Sequence, residues 1–229
     1  MVGRSRLLDS TALTCPVVPR WLKLGYGSFL AVLVPVYWRE YGPGNFLWLS
    51  DIALVGTTLA VVMERPALAG MMAVGVLPLE FAWTLDFLLG GRALGLAGYM
   101  FDSGKSRFLR GLSLFHIVLP PTLLWMLDRF GYDRRSLARQ TLLTWLILPL
   151  TYALTDPAAN VNWVFGPGAK PQHRINPLLY LALEMAILPL LFMWPTHWLL
   201  RRFFSRQQRL QKRASRPRLR YGRAAAQHP

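Results

Sequence analysis

The chain has 229 residues, of which 53% are apolar and only 16% are charged, and its formal net charge is +15. A soluble domain needs more charge than this to solvate its surface, so the composition excludes an ordinary soluble protein and predicts a membrane protein. Its single cysteine, Cys15, excludes an internal disulfide framework and a cysteine-based zinc site.

Six apolar segments follow one another along the chain, each long enough or nearly long enough to cross a bilayer core of about 30 Å. We predict them at 21–38, 46–63, 67–89, 108–127, 138–155 and 177–200. They define an all-α polytopic transmembrane bundle over 21–200. A cytosolic N-terminal segment, 1–20, precedes the bundle, and a basic, disordered cytosolic tail, 201–229, follows it. Prolines 35, 78, 120, 149 and 189 lie inside segments and predict kinked helices.

The topology is predicted from positive charges on alternate sides of the six segments. One side, which includes both termini, carries 19 Lys and Arg residues, and the other carries seven. Because cytosolic loops of membrane proteins are enriched in Lys and Arg, we expect both termini in the cytosol. The stretch before the first segment is too polar, and too broken by Pro16 and Pro19, for a cleaved signal peptide, so the first helix is expected to remain as an anchor.

Four polar residues of the apolar segments lie at similar predicted depths. At 1.5 Å per helical residue, Asp51, Glu80, His116 and Glu184 are about 7, 13, 12 and 10 Å below the outer surface. The inner half contains little beyond His197. Because ionised groups facing lipid are costly, we expect the four to converge on a polar pocket open to the outside. Its predicted rim consists of Asp51, Asp86, Asp156, Asn160, Asn162 and Trp163.

His116 is the central candidate for chemistry. It precedes two prolines, and Pro120 cannot donate to the carbonyl of His116, which predicts extra space beside the imidazole. Three roles stay open: a structural hydrogen bond, a general base paired with Glu80 or Glu184, or a metal ligand. Metal binding is the weakest of these, because the four histidines are isolated in sequence.

The carboxylates and the loop at 155–168 have simpler alternatives. Glu80 and Glu184 could be protonated or hydrogen-bonded and only fix helix register, and Asp51 could cap its helix or pair with Arg39. The loop TDPAANVNWVFGPG could cover the pocket or contact headgroups, or it could be an interfacial turn with one anchoring tryptophan.

The missing motifs narrow the chemistry further. There is no phosphate-binding loop, no aspartate-rich cluster for magnesium-diphosphate chemistry, and no complete GxSG serine motif in GLSL at 111–114. We therefore predict no cofactor and no bound metal.

The C-terminal tail carries ten Lys and Arg residues and no acid over 201–229. Directly after a membrane segment, such a tail is expected to contact anionic lipid headgroups, here through Arg201, Arg202, Arg206 and Arg209. Nucleic-acid or ribosome binding is the alternative. Nothing in the tail suggests base readout, so no nucleic-acid partner is expected.

The runs NFLWLSDIAL, YMFD, LSLFHIVLPPTLLWML, GYDRR and TDPAANVNWVFGPG together resemble a group of bacterial multi-pass membrane proteins without an assigned activity. The resemblance spans roughly 40–200 and implies a bacterial inner-membrane setting. It implies no catalytic roles. Two functions are therefore expected from the residues: an active site on a lipid or lipid-linked substrate, with His116 as base and Glu80 or Glu184 orienting it, or a transporter or channel for a small solute or protons. A non-catalytic scaffold is the third possibility.

Overall fold

The computed structural model describes residues 18–168 and 170–214, with the backbone alone for 205–214. Within this part the chain is all-α and contains no strand, which confirms the all-α part of the predicted fold. The α-helices are α1 (Arg20–Tyr41), α2 (Leu49–Met63), α3 (Pro66–Leu88), α4 (Arg107–Leu112), α5 (Phe115–Phe130), α6 (Ser136–Leu154), α7 (Pro177–Ile187) and α8 (Trp194–Ala214). A π-helical turn, Leu188–Met193, joins α7 to α8. Three 3-10 turns occupy Pro43–Leu47, Gly98–Phe101 and Val161–Trp163.

Three stretches of helix in the described chain are long and apolar enough to cross a membrane: Pro66–Leu88, Arg107–Phe130 and Pro177–Phe204. Helix α2 is apolar but has only 15 residues. Helix α6 also turns large apolar side chains outward, as Leu142, Leu146, Leu150 and Leu154 are exposed four residues apart. An apolar stripe facing away from the core is what lipid contact requires, so the helices are compatible with a membrane location.

Helix α3 is the centre of the bundle and packs against α2, α5, α6 and α8. Its close approach to α6 depends on Gly75, where a Cβ atom would lie 2.5 Å from the Gln140 side-chain nitrogen. On the other side, α5 contributes four leucine and methionine side chains with no exposed surface: Leu119, Leu123, Met126 and Leu127. Buried side chains of α3 therefore meet one of four neighbouring helices, and α5 is one of them.

The bundle has two distinct ends. The longer connections 42–48, 89–106 and 155–176 form one end, called the long-loop end below. The short turns at 64–65 and 131–135 form the opposite, short-turn end. At the short-turn end, Lys23 Nζ lies 2.5 Å from Glu64 Oε1, and the Tyr132 hydroxyl lies 2.6 Å from His197 Nδ1. These contacts join α1 to α2, and the turn before α6 to α8.

The predicted segment 108–127 is two helices. Helix α4 ends at Leu112 and α5 begins at Phe115, and the His116 amide bonds to the Ser113 carbonyl three residues back. Three-residue bonds of this kind tighten the winding, as in a 3-10 helix. The interruption thus lies before His116, whereas Pro120 and Pro121 are accommodated inside α5. Helix α8 continues to Ala214, beyond the boundary expected at residue 200, because proline and glycine are absent over 201–214.

We predict that Gly91→Ala lowers the melting temperature more than Gly90→Ala. Both glycines have positive φ, +73° and +78°, so each alanine costs about 1–2 kcal/mol in backbone strain. At Gly91 the new Cβ would also lie 2.8 Å from the Gly98 Cα and 2.9 Å from the Ala97 carbonyl, whereas nothing lies within 4 Å of it at Gly90. Tryptophan fluorescence during heating of the detergent-solubilised protein measures the difference. Equal melting temperatures would contradict the packing described for this loop.

Candidate functional site

The site is built around one hydrogen bond between α3 and α5. His116 Nδ1 lies 2.7 Å from Glu80 Oε2. Glu80 is only 2% exposed, and the His116 side chain is 13% exposed. With the Nδ1–H group donating to the carboxylate, the ring tautomer is fixed. Because Nδ1 is engaged, Nε2 is the ring nitrogen that can serve a ligand. Sequence reasoning predicted this pairing as one of two alternatives, and the structure selects Glu80.

Two aromatic rings hold the imidazole in place. The His116 ring stacks on Trp83, with centroids 4.5 Å apart and planes at 23°, and on Phe115, at 4.1 Å and 26°. Trp83 follows Glu80 by three residues on α3, so one face of that helix supplies both the carboxylate and an aromatic wall. Stacked rings leave the imidazole little rotational freedom. The nitrogen away from Glu80 is therefore aimed in a fixed direction.

Hydroxyl groups surround the pair. The Tyr37 hydroxyl lies 2.9 Å from Ser113 Oγ, which is one turn before His116. Tyr99, in the turn Gly98–Phe101, contacts the Trp83 ring with centroids 6.4 Å apart. Burial raises the pKa of Tyr99 to about 12, so its hydroxyl stays protonated at neutral pH. The site therefore contains neutral groups able to donate a proton in hydrogen bonds beside an acid–imidazole pair.

Asp51 belongs to the same region. It lies in the first turn of α2, where Asn45 Nδ2 donates to its Oδ2 over 3.1 Å, and it is close enough to Glu80 for electrostatic interaction. Pairing with Arg39 was one of two alternatives for Asp51; within the described chain no such ion pair is found, and Arg39 is exposed at the end of α1. Within the described chain, Asp51 Oδ1 is buried without a hydrogen-bond partner. Two carboxyl groups thus share the surroundings of His116.

Glu184 is buried on α7 and is not among the contacts described for the Glu80–His116 pair. Its helix, α7, packs on α6 and on the π-helical turn, and α6 packs in turn on α3. The contacts described for Glu184 include neither Glu80 nor His116, and its Oε2 is buried without a partner in the part of the chain that the structure describes. The convergence of Glu184 with Glu80 and His116, predicted from depth along the helices, therefore stays a prediction.

Two predicted rim carboxylates serve their own loops. Asp86 is fully buried, and its two oxygens accept the amides of Leu94 at 2.7 Å and Ala97 at 2.8 Å. These bonds fold the segment after α3 back onto the helix. Asp156 is exposed and accepts the Ala158 amide at 2.8 Å, a local turn. Both carboxylates are therefore committed to backbone groups beside the site.

The loop 155–168 is held by its two asparagines, which have positive φ of 41° and 53°. Asn160 Nδ2 donates to the carbonyls of Gly166 and Gly168, both at 2.8 Å, so it closes the loop on itself. Asn162 instead reaches α2: its Oδ1 accepts the Leu49 amide at 2.9 Å, and its Nδ2 donates to the Leu47 carbonyl at 2.7 Å. The amide groups expected to face a pocket therefore hold the backbone near Asp51. Trp163, also with positive φ, is partly buried.

Sequence reasoning missed a polar face on α6. Ser136, Gln140, Thr144 and Thr151 are at most 2% exposed, and the first three recur at four-residue spacing. The expectation that the half toward the short-turn end contains little beyond His197 is therefore wrong. A search for polar residues at helical spacing, rather than for charged ones, would have found this face.

The basic residues after the bundle lie at the short-turn end. Arg201 and Arg202 are exposed, and the Arg202 guanidinium lies 5.7 Å from the centre of the Trp198 ring. The side chains of Arg206 and Arg209 lie outside the described residues, as does Cys15.

Comparisons of the chain with protein-family models, curated proteins and solved structures find no match.

We predict that Asn162→Gly loosens the start of α2, whereas Asn160→Gly loosens only the loop. Glycine keeps the positive φ at either position and removes the side-chain bonds, at a cost of about 2 kcal/mol for two or three bonds. Hydrogen exchange should accelerate over 46–52 in Asn162→Gly and over 160–168 alone in Asn160→Gly. Unchanged exchange at the Leu49 amide in Asn162→Gly would contradict the role assigned to this side chain.

Proposed function

We propose that this chain is a multi-pass integral protein of the bacterial inner membrane whose Glu80–His116 pair is an acid–base site acting on a lipid or lipid-linked substrate. The observation that carries the proposal is the 2.7 Å bond between a buried carboxylate and a partly buried imidazole from different apolar helices. An aligned pair of this kind orients an imidazole for proton transfer.

The pair suits a general-base role for His116. Glu80 holds Nδ1–H and stabilises the imidazolium that forms when Nε2 takes a proton from water or from a substrate hydroxyl. Ser113, Tyr37 and Tyr99 lie around the pair and can donate hydrogen bonds to an oxygen that gains negative charge. The surrounding helix surfaces are apolar, and this favours a substrate that already resides in the bilayer.

The proposed topology has six spans, formed by α1, α2, α3, α4 with α5, α6, and α7 with α8. The excess of Lys and Arg at the short-turn end supports placing that end, with both termini, in the cytosol. The long-loop end and the Glu80–His116 pair then face the outside. Exposed Arg201 and Arg202 fit contact with anionic headgroups, each basic residue contributing about 1 kcal/mol near the surface.

The runner-up function is transport of a small solute or protons. The buried polar face of α6, which extends toward the short-turn end, favours it, because a transport path needs polar groups through the whole bundle. Leu148, fully buried between Thr144 and Thr151, interrupts this face. That interruption and the position of the pair favour the enzymatic proposal. A scaffold role would use neither feature.

The central test uses the full chain reconstituted in vesicles of total bacterial lipid, with lipid products followed by mass spectrometry. Wild-type protein should convert a lipid species that empty vesicles leave unchanged. We expect His116→Gln to lose at least 100-fold in rate and Glu80→Gln to lose about 10–100-fold, since general-base catalysis contributes about 10²–10⁴-fold. His173→Gln, which changes an exposed histidine at the long-loop end, serves as the matched control. Full turnover by His116→Gln would refute the proposal.

The transport alternative is tested with the same vesicles loaded with a pH-sensitive dye. We expect wild-type protein to add no proton flux to that of empty vesicles. A protein-dependent flux that Gln140→Leu abolishes would favour the alternative, because Gln140 lies on the buried polar face of α6.

A further inference from the structure

A shallow groove lies at the long-loop end, between the last turn of α1 and the first turn of α4. Its volume is about 260 Å³, and it is lined by Val36, Arg39, Glu40, Ser106, Phe108 and Leu109. We call it the α1–α4 groove. Sequence reasoning considered Arg39 as a partner of Asp51 and as one of the charges that set the topology, and it assigned no role to the other five residues.

The groove presents one positive and one negative charge side by side. Arg39 and Glu40 are both exposed, and neither forms an ion pair within the described chain. As neighbours on a helix, they point about 100° apart and do not neutralise each other. The Ser106 Oγ atom accepts the Phe108 amide at 3.2 Å, and its own hydroxyl proton remains able to donate. The polar lining thus offers a cation and a hydroxyl for a phosphate, and a carboxylate for an ammonium group.

The rest of the groove lining is apolar. Val36 and Leu109 are half-buried, and Phe108 and the neighbouring Trp38 are largely exposed. A tryptophan at the end of an apolar helix is typical of the headgroup level of a bilayer. A molecule with a charged head and an apolar body fits such a lining better than a soluble metabolite does.

The groove is adjacent to the Glu80–His116 pair. Tyr37, next to Val36 on α1, bonds to Ser113, whose hydroxyl also lies 3.4 Å from the Leu109 carbonyl. Leu109 precedes His116 by seven residues, across the interruption between α4 and α5. Tyr37, Ser113 and Leu109 therefore connect the groove with the helix that carries His116.

We propose that the α1–α4 groove binds the headgroup of a zwitterionic glycerophospholipid, with Arg39 and Ser106 on the phosphate and Glu40 on the ammonium group. Charge-assisted hydrogen bonds of both signs discriminate such a headgroup from one that carries only negative charge. That this lipid is also the substrate rests on the function proposed above. The binding site itself does not.

Native mass spectrometry of the detergent-purified full chain tests the groove. The probes are palmitoyl-oleoyl phosphatidylethanolamine, the phosphatidylglycerol with the same chains, the diacylglycerol without a headgroup, and free phosphoethanolamine. We expect wild-type protein to bind phosphatidylethanolamine most tightly. Arg39→Gln should weaken both phospholipids about tenfold, as expected for loss of a charge-assisted contact. Glu40→Gln should weaken phosphatidylethanolamine about fivefold and leave phosphatidylglycerol unchanged or tighter. Arg92→Gln, an exposed arginine of the same end, should bind like wild type.

Three results would overturn the groove proposal: wild-type affinity for phosphatidylethanolamine in both groove variants, equal or tighter binding of phosphatidylglycerol by the wild type, or free phosphoethanolamine binding as tightly as the lipid. The last would assign the groove to a soluble ligand. His116→Gln separates this test from the preceding one, because it should bind phosphatidylethanolamine normally while turnover is lost. Normal turnover in that variant, with binding lost in Arg39→Gln, would refute the enzymatic function and retain the lipid site.

Discussion

The cost of burying charge among apolar helices is the constraint on which the arrangement depends. A carboxylate or an imidazolium in such surroundings is unfavourable by several kcal/mol unless a partner meets it with good geometry. Glu80 and His116 meet at 2.7 Å, and two stacked rings fix the angle at which they do so. Helix α3 must therefore pass α5 at one particular register. The central position of α3 then extends this register to α2, α6 and α8.

The polar groups beyond the pair are arranged in two ways. Asp86, Asn160 and Asn162 direct their side chains to backbone amides and carbonyls, so they shape the loops at the long-loop end. Asp51, Ser113 and the tyrosines near them face side chains instead, and Asp51 retains a buried oxygen without a partner in the described chain. Groups of the first kind stabilise the conformations of the loops. Groups of the second kind are available to a bound molecule, and they all lie near His116.

Much of the fold could be predicted from the sequence, because helices in apolar surroundings must satisfy their own backbone and so follow apolar runs closely. The bounds of α2, α3 and α6 lie within three residues of the predicted segments. The interruption at Ser113 could not be predicted, because the prolines that suggested a bend lie after it and are tolerated inside α5. The Glu80–His116 contact was one of two predicted alternatives, because Glu80 and Glu184 have similar predicted depths below the outer surface. That choice depends on which helix lies beside α5, which no residue count reveals.

The tightened winding between α4 and α5 fixes the rotation of α5 relative to α4 about the helix axis. Leu109 and Phe108 line the α1–α4 groove from one helix, and His116 faces α3 from the next. The three-residue bonds at 111–117 set the rotation that relates them. Adding or removing one residue there would rotate the imidazole by about 100° relative to α4. The sequences of the two helices themselves would not change. The number of residues in this short stretch therefore matters more for the orientation of His116 than the identity of those residues.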